Sequence, residues 1–354
     1  MIYVIQVLWI GIASLICSSS VEKSPRTRKI FLAMVFVPCF FMMAFRDVSV
    51  GIDTKNYKAY FETLASIPWS TFFSGEQSIS MEFGWSLVNK ICAAIVPSYY
   101  FFQIIYAAVF CHFSAKFLEL FSDSILISTM CYLGLGTFIV AFNVQRQLLA
   151  VVILANSFWY LSKKKYFKMA VLLFLAVSMH QTAIIFVCAY IVYWLRERPM
   201  IIKISAVVWG TLVVRFEPII NIAQRIFPQY INYFDNHKDV QTASGVWVIW
   251  IIIIVLAVFA IYFNRKKKQD SLLALYGLFG LIYVGSNIIG LSFNYFERIG
   301  LYFLPFVALL FDRFALRLQS NFKAVYKIGV VVSFGVYYLL SCLIGSALDY
   351  KFFF

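Results

Sequence analysis

Apolar stretches about as long as a bilayer is thick recur from one end of this chain to the other, with short basic clusters between them. A spanning helix needs about 20 mainly apolar residues, and in lipid only a helix or a closed barrel satisfies its own backbone. The stretches fall near 2–18, 30–45, 83–97 with 98–118, 124–142, 147–162, 169–179 with 181–195, 200–214, 246–263, 271–292, 299–311 and 328–347. With 62% hydrophobic and 13% charged residues among 354, the chain holds more apolar surface than a water-soluble core can bury, because soluble domains run nearer 45–50% apolar and roughly 25% charged. The expected fold is all-α, a polytopic integral membrane helical bundle of about 11–13 segments. It forms a single transmembrane domain over 1–354 with two sizeable outer loops, 46–82 carrying an interfacial helix and 216–245.

Charge orients these segments. Basic clusters at Lys23/Arg26/Arg28/Lys29, Lys163/Lys164/Lys165/Lys168, Arg196/Arg198/Lys203, Arg265/Lys266/Lys267/Lys268 and Arg313/Arg317/Lys323/Lys327 lie between spans, where the positive-inside rule assigns them to the cytoplasm. The net charge of +14 is therefore topological; no folded basic domain presents it to nucleic acid, and no such partner is expected. For both the 163–168 and 196–203 clusters to be inside, the run between them must cross twice, turning at Met179–Thr182 with His180 near the outer tip. The same parity puts Arg46–Met81, Asn143–Gln147, Phe216–Gly245 and Asn294–Gly300 outside, and makes one half of 83–118 interfacial or re-entrant. The first apolar segment has no basic residues before it, which opposes a cleavable signal and favours a retained helix with its N-terminus outside.

The 7 cysteines sit inside apolar stretches without CxxC spacing, so they are expected as small core residues rather than metal ligands or disulfides. There is no DxD-type metal site, HExxH, P-loop or GxSxG, which counts against a soluble sugar-nucleotide enzyme or a metalloprotease. Neither metal nor cofactor is expected.

The outer face gathers the remaining polar chemistry. Arg146 lies between Gln145 and Gln147 in an otherwise apolar run; burying a guanidinium there without a partner costs at least a few kcal/mol, and an anion is a natural partner. Arg46 and Asp47 open the first outer loop, where capping and snorkelling at a helix end is the ordinary account. Asp53 follows, then Tyr57, Tyr60 and Phe61 at the spacing of a surface helix, and Glu82 precedes the next span. Arg298 has Glu297 beside it and Tyr295 and Tyr302 nearby, so a local ion pair is its ordinary account. A lone histidine on an apolar segment is usually a hydrogen-bonded structural residue, and only the hairpin tip sets His180 apart. Yet Arg46, Arg146 and Arg298 come from distant segments to one membrane face, and guanidinium groups grip phosphate bidentately. That suits a pyrophosphate better than a neutral solute, with Asp47, Asp53, Glu82 and Glu297 at hand for acid–base work.

The ordered set "FRDVSVGIDTKNY", "MEFGW", "NVQRQLLA", "SKKKYFKMAVLLFLAVSMHQTA" and "NYFERIGLY", between Phe45 and Tyr302, resembles the EpsG-like family of polysaccharide polymerases, the Wzy-type proteins of bacterial O-antigen, capsule and exopolysaccharide synthesis. The resemblance implies a GT-C-like, metal-independent glycosyltransferase of the bacterial cytoplasmic (inner) membrane with its active face outward. It implies transfer of a growing glycan from one undecaprenyl diphosphate to a repeat unit on another. The implied partners are the undecaprenyl-diphosphate-linked glycan, membrane lipid, and a chain-length regulator and flippase of the same pathway. On this reading Arg46, Arg146 and Arg298 hold the diphosphate, and Asp53, Glu82 or His180 deprotonates the acceptor. Asp47, Gln145, Gln147, Tyr57, Glu297 and Tyr302 support them. The loop 216–245, with Arg225, either covers the site or packs as a surface helix. Three alternatives stay open: an O-antigen ligase using the same donor, a transporter or flippase of lipid-linked oligosaccharide with a charged cavity reachable from both faces, and a structural membrane subunit.

Overall fold

The computed structural model of the chain describes residues 2–17, 22, 24–74, 81–218, 244–262, 270–293, 295–344 and 350–354. Most of the expected second outer loop, including Arg225, lies outside the described residues, as do Lys23 and the cluster Arg265–Lys268. The elements are α1 (Ile2–Cys17), α2 (Pro25–Ala44), α3 (Thr54–Ser66), α4 (Trp69–Ser74), α5 (Phe83–Ile95), α6 (Tyr99–Phe121), α7 (Ile125–Gly134), α8 (Thr137–Asn143), α9 (Gln145–Ser162), α10 (Tyr166–Met179), α11 (Val187–Leu195) and α12 (Pro199–Val214). They continue with α13 (Ser244–Tyr262), α14 (Ser271–Gly290), α15 (Glu297–Leu301), α16 (Leu304–Phe314) and α17 (Ser320–Ile344). Among the described residues extended pairing is confined to one antiparallel bridge, Arg46 with Phe352, so the fold is all-α as expected.

Among the described residues five helical stretches, α7 and α8 counted together as one, are long and apolar enough to cross a membrane, and six more apolar helices run to 10–17 residues. Large apolar side chains stand on the outside of these helices, Phe167 at 81% and Trp194 at 73% exposure among them. Outward-facing apolar surface on that scale belongs against lipid, not water; the chain is a multi-pass membrane protein.

The helices divide into two compact units, Met1–Ile184 with Val330–Phe354, and Ile185–Gly329. In the first, α9 and α10 form a hairpin, α6 packs on both α2 and α9, and α5 packs on α3 and α10. Gln145 meets Tyr99 at one end of the α6–α9 pair, and Trp159 meets Phe121 at the other, so these two helices run parallel. In the second unit, α14 is the central helix, contacted by α12, α13, α15 and α16. Asp270 caps α14 through Leu273 N–H at 3.2 Å and binds Arg313 Nε at 2.6 Å.

Several boundaries differ from those expected, each for a local reason. Ser24 caps α2 through Thr27 N–H and Pro25 occupies its first turn, a favourable start; Arg26, Arg28 and Lys29 therefore belong to the helix rather than to a loop. Lys323 and Lys327 likewise lie inside α17, which begins at Ser320, and such long side chains can snorkel to the interface from a helix turn. The stretch 124–142 breaks at Gly136, whose φ of +85° ends α7 and starts α8. The ambiguous region 83–118 divides into the 13-residue α5 and the 23-residue α6, of which only α6 reaches the roughly 30 Å needed to span. Cys188 is exposed, not a core residue, while the other cysteines are buried and all are free thiols.

Candidate functional site

The α9–α10 hairpin decides where the site is. Arg146 occupies the first turn of α9 and His180 is the residue that ends α10. Because the two helices are antiparallel neighbours joined at Lys163–Lys165, both residues sit at the same end. At Met179–Thr182 α10 stops at His180, and a 3-10 helix, Gln181–Phe186, leads into α11.

Glu82 reaches this end from the start of α5. The approach depends on Gly84: a Cβ there would lie 2.8 Å from the Ser178 carbonyl oxygen, so only glycine lets α5 close on the last turn of α10. Glu82 Oε2 accepts a hydrogen bond from Arg146 Nη1. Glu82 Oε1 lies 2.8 Å from His180 Nδ1 and accepts the Gln181 backbone N–H at 3.1 Å. Burial by itself raises the Glu82 carboxyl, but the His180 and backbone hydrogen bonds and the Arg146 charge outweigh it and hold the group down to about 2. Glu82 is thus a carboxylate at any physiological pH, and a weak proton acceptor. Arg146 keeps a buried Nε without an acceptor among the described residues.

The surface helix α3 closes one side. Burial pushes the Tyr57 phenol up, opposed by the Arg146 charge and a hydrogen bond to its side chain. Tyr60, one turn on, pairs its hydroxyl with Ser86 Oγ at 2.6 Å, and also feels the Arg146 charge. Lys90 anchors the far end of α3 by donating to the carbonyls of Leu64 and Ile67. Its start is fixed by Asn143, whose Oδ1 accepts Ile52 N–H at 2.7 Å, beside Gly51 at φ +99°. Asp53 is the residue preceding α3, without a capping bond from its side chain.

The structure therefore brings together Glu82, Arg146, His180 and Tyr57 from the residues singled out in sequence. Others take different places. Arg46 is wholly buried, its Nη1 donating to Met43 O at 2.7 Å and its guanidinium 4.7 Å from the Phe142 ring centroid; it faces inward and not toward the outer solution. Hydrogen bonds from the Ser49 side chain and from its backbone N–H, the latter at 2.9 Å, hold the Asp47 carboxyl below the usual range in a tight turn. Gln145 and Gln147 are buried, Gln145 donating to Tyr99 OH at 3.2 Å, because flanking positions on a helix point away from Arg146. In the second unit Arg298 lies 4.5 Å from the Tyr295 ring centroid, burial raises the neighbouring Glu297, and Tyr302 is only 1% exposed, inside the core and not lining a surface. Sequence reasoning missed Tyr60 as a partner, Ser86, Asn143, Lys90 and the Gln181 N–H. The one local signal lay beside Ser86: Gly84, in "MEFGW", marks a place where two helices meet closely.

Glu82 holds the Arg146 guanidinium and the His180 imidazole together, with Arg146 Nε buried beside them. Among the described residues no group of His, Cys, Asp and Glu is arranged to hold a metal ion.

Comparison with curated proteins and with solved structures finds no match. The sequence profile of the EpsG family, by contrast, matches residues 29–353, which includes every residue of the cluster around Glu82. The chain belongs to the EpsG family, the Wzy-like polysaccharide polymerases.

Proposed function

We propose that the protein polymerises lipid-diphosphate-linked oligosaccharide repeat units, with undecaprenyl diphosphate as the carrier, at the outer face of the bacterial cytoplasmic membrane. The single observation that carries the reading is Glu82 gripping Arg146 and His180 together. It divides the chemistry between an electropositive fork for a leaving diphosphate and an imidazole for the acceptor. Arg46 is not used.

In the proposed step His180 Nε2 takes the proton from an acceptor sugar hydroxyl. That oxygen forms a bond to the anomeric carbon of the donor glycan. The bond from the anomeric carbon to the diphosphate oxygen breaks, and its electron pair stays on the departing diphosphate. Arg146 stabilises this developing charge through the donors that Glu82 leaves unused. Glu82 orients the imidazole with Nδ1–H toward itself and stabilises the imidazolium that forms. Tyr57, buried against Trp85, holds the Arg146 side chain in place, and the partly exposed Tyr60 stands beside the fork, suited to a sugar. No step requires a metal.

The test uses purified protein in lipid bilayers with a synthetic undecaprenyl-diphosphate-linked repeat unit and chelator, read as a gel ladder. Wild type should build a ladder, while folded Arg146→Ala and His180→Ala should leave single repeats. A well-folded wild type that builds no ladder on several repeat structures yet moves the lipid between leaflets would replace the polymerase with a flippase.

A further inference from the structure

An open groove of about 380 Å³ runs between α2 and α6, away from the cluster around Glu82. Its walls are mainly apolar, from Leu32, Phe36, Val37 and Phe40 on α2 and from Ala108 and Ala115 on α6, with Cys111 and His112 also on the α6 side. The two alanines withdraw one wall, and Ala33 and Val37 leave the side open. One end alone is charged. There Lys29 Nζ lies 3.6 Å from Glu119 Oε1, and Lys116 Nζ 3.0 Å from Glu119 Oε2. Two ammonium groups share one carboxylate, with the Arg26 side chain exposed one turn away, so the mouth keeps a net positive charge.

We infer that this groove is a binding site for one anionic phospholipid of the leaflet opposite the Arg146 end, with the headgroup phosphate at Lys29 and Lys116 and an acyl chain along α2.

Three observations fix the occupant. From Lys29 to Phe40 the groove follows eleven helical steps, about 16 Å at the helical rise, which is about half of a roughly 30 Å hydrocarbon core. A slot that starts at the interface and stops near the midplane matches a chain from one leaflet. Next, α6 and α9 run parallel, with Tyr99 beside Gln145 and Phe121 beside Trp159. Lys116 and Glu119 thus lie at the Lys163 end of the unit, remote from Arg146, so the occupant is not the reacting donor. Finally, the charge at the mouth is complementary to a phosphodiester bearing a net negative charge. Basic pockets between spanning helices on the cytoplasmic side bind anionic headgroups in this way. The lysines are partly exposed, at 66% and 44% of their side chains, and can turn from Glu119 to a phosphate.

The inference does not depend on the polymerase reading. It is tested by native mass spectrometry of the whole protein released from nanodiscs of equal phosphatidylglycerol and phosphatidylcholine. Wild type should retain one phosphatidylglycerol in several-fold preference. Lys29→Gln with Lys116→Gln should abolish that preference, Lys29→Arg with Lys116→Arg should keep it, and Ala108→Trp should remove one retained lipid of either kind. Thermal melts of each variant confirm that it is folded. Equal retention of the two lipids by wild type, or phosphatidylglycerol held equally by wild type and the Gln pair, would overturn the inference.

Discussion

His180 and Glu82 face each other across 2.8 Å, imidazole Nδ1 to carboxylate Oε1, although 98 residues separate them. The pair makes a directional prediction. Glu82→Gln keeps the volume but removes the charge that sets the histidine tautomer and balances Arg146. Polymer formation should fall by roughly 100-fold or more, the scale of a misdirected general base, with the fold retained. Initial rates of ladder growth measure it; a variant within a few-fold of wild type would contradict the assigned role.

Glu82 also links stability to acid. Its carboxyl falls from the usual 4.5 to about 2 in the folded chain, so the unfolded state binds the proton more readily. The stabilisation is complete above about pH 4.5 and is lost as pH falls toward 2, a contribution on the order of 3 kcal/mol. Melting temperatures of wild type and Glu82→Gln in detergent should converge across this window and differ above it.

Gly84→Val tests the approach of α5 to α10. The new side chain meets the Ser178 carbonyl, where a Cβ alone would stand 2.8 Å away. Overpacking of this kind costs about 1–3 kcal/mol, and the displaced Glu82 should cost at least about tenfold in rate. Thermal melts and ladder assays on one preparation separate the two effects.

Arg46 and Arg146 should behave oppositely. Arg46 is buried on backbone carbonyls and Phe142, and an apolar residue of similar size can replace a buried charge at little net cost. Arg46→Met should keep polymerisation within about threefold and stability within about 2 kcal/mol. Arg146→Lys, which keeps charge but loses the fork, should lose most activity. Loss of activity in a folded Arg46→Met would return that residue to the reacting site.

Deletion of residues 351–354 should loosen the first outer loop. It removes the Asp47 N–H bond to Lys351 O at 2.8 Å, the Phe353 N–H bond to Phe45 O at 3.1 Å, and the stacking of Phe353 on Tyr100. Two net hydrogen bonds amount to roughly 2 kcal/mol, and hydrogen exchange should rise first across 45–54.

Hydropathy and charge suffice for the helical membrane fold because spanning length and basic flanks are local properties of the chain. They also single out Arg146, Glu82 and His180, since a polar group in an apolar run stands out without knowledge of its partners. The pairing itself was not legible: Glu82 lies 64 residues from Arg146 and 98 from His180, and no local spacing links the three. The burial of Arg46 was hidden for the complementary reason. Beside Asp47 at a helix end it reads as a capping or snorkelling residue, yet its surroundings come from Phe142 and the segment around Phe352, which no nearby residue announces. The break at Gly136 was hidden because glycine is common inside membrane helices.

The first compact unit is assembled from two separated pieces of chain, Met1–Ile184 and Val330–Phe354, with the second unit between them. During synthesis the ribosome therefore delivers Arg46 to the membrane long before its cover arrives, and Tyr350 reaches the Met42 carbonyl across 308 residues. Until then the Phe45 carbonyl and the Asp47 N–H wait for partners. The loop that leads to Tyr57 thus acquires its full set of backbone partners only when the last residues of the chain are in place.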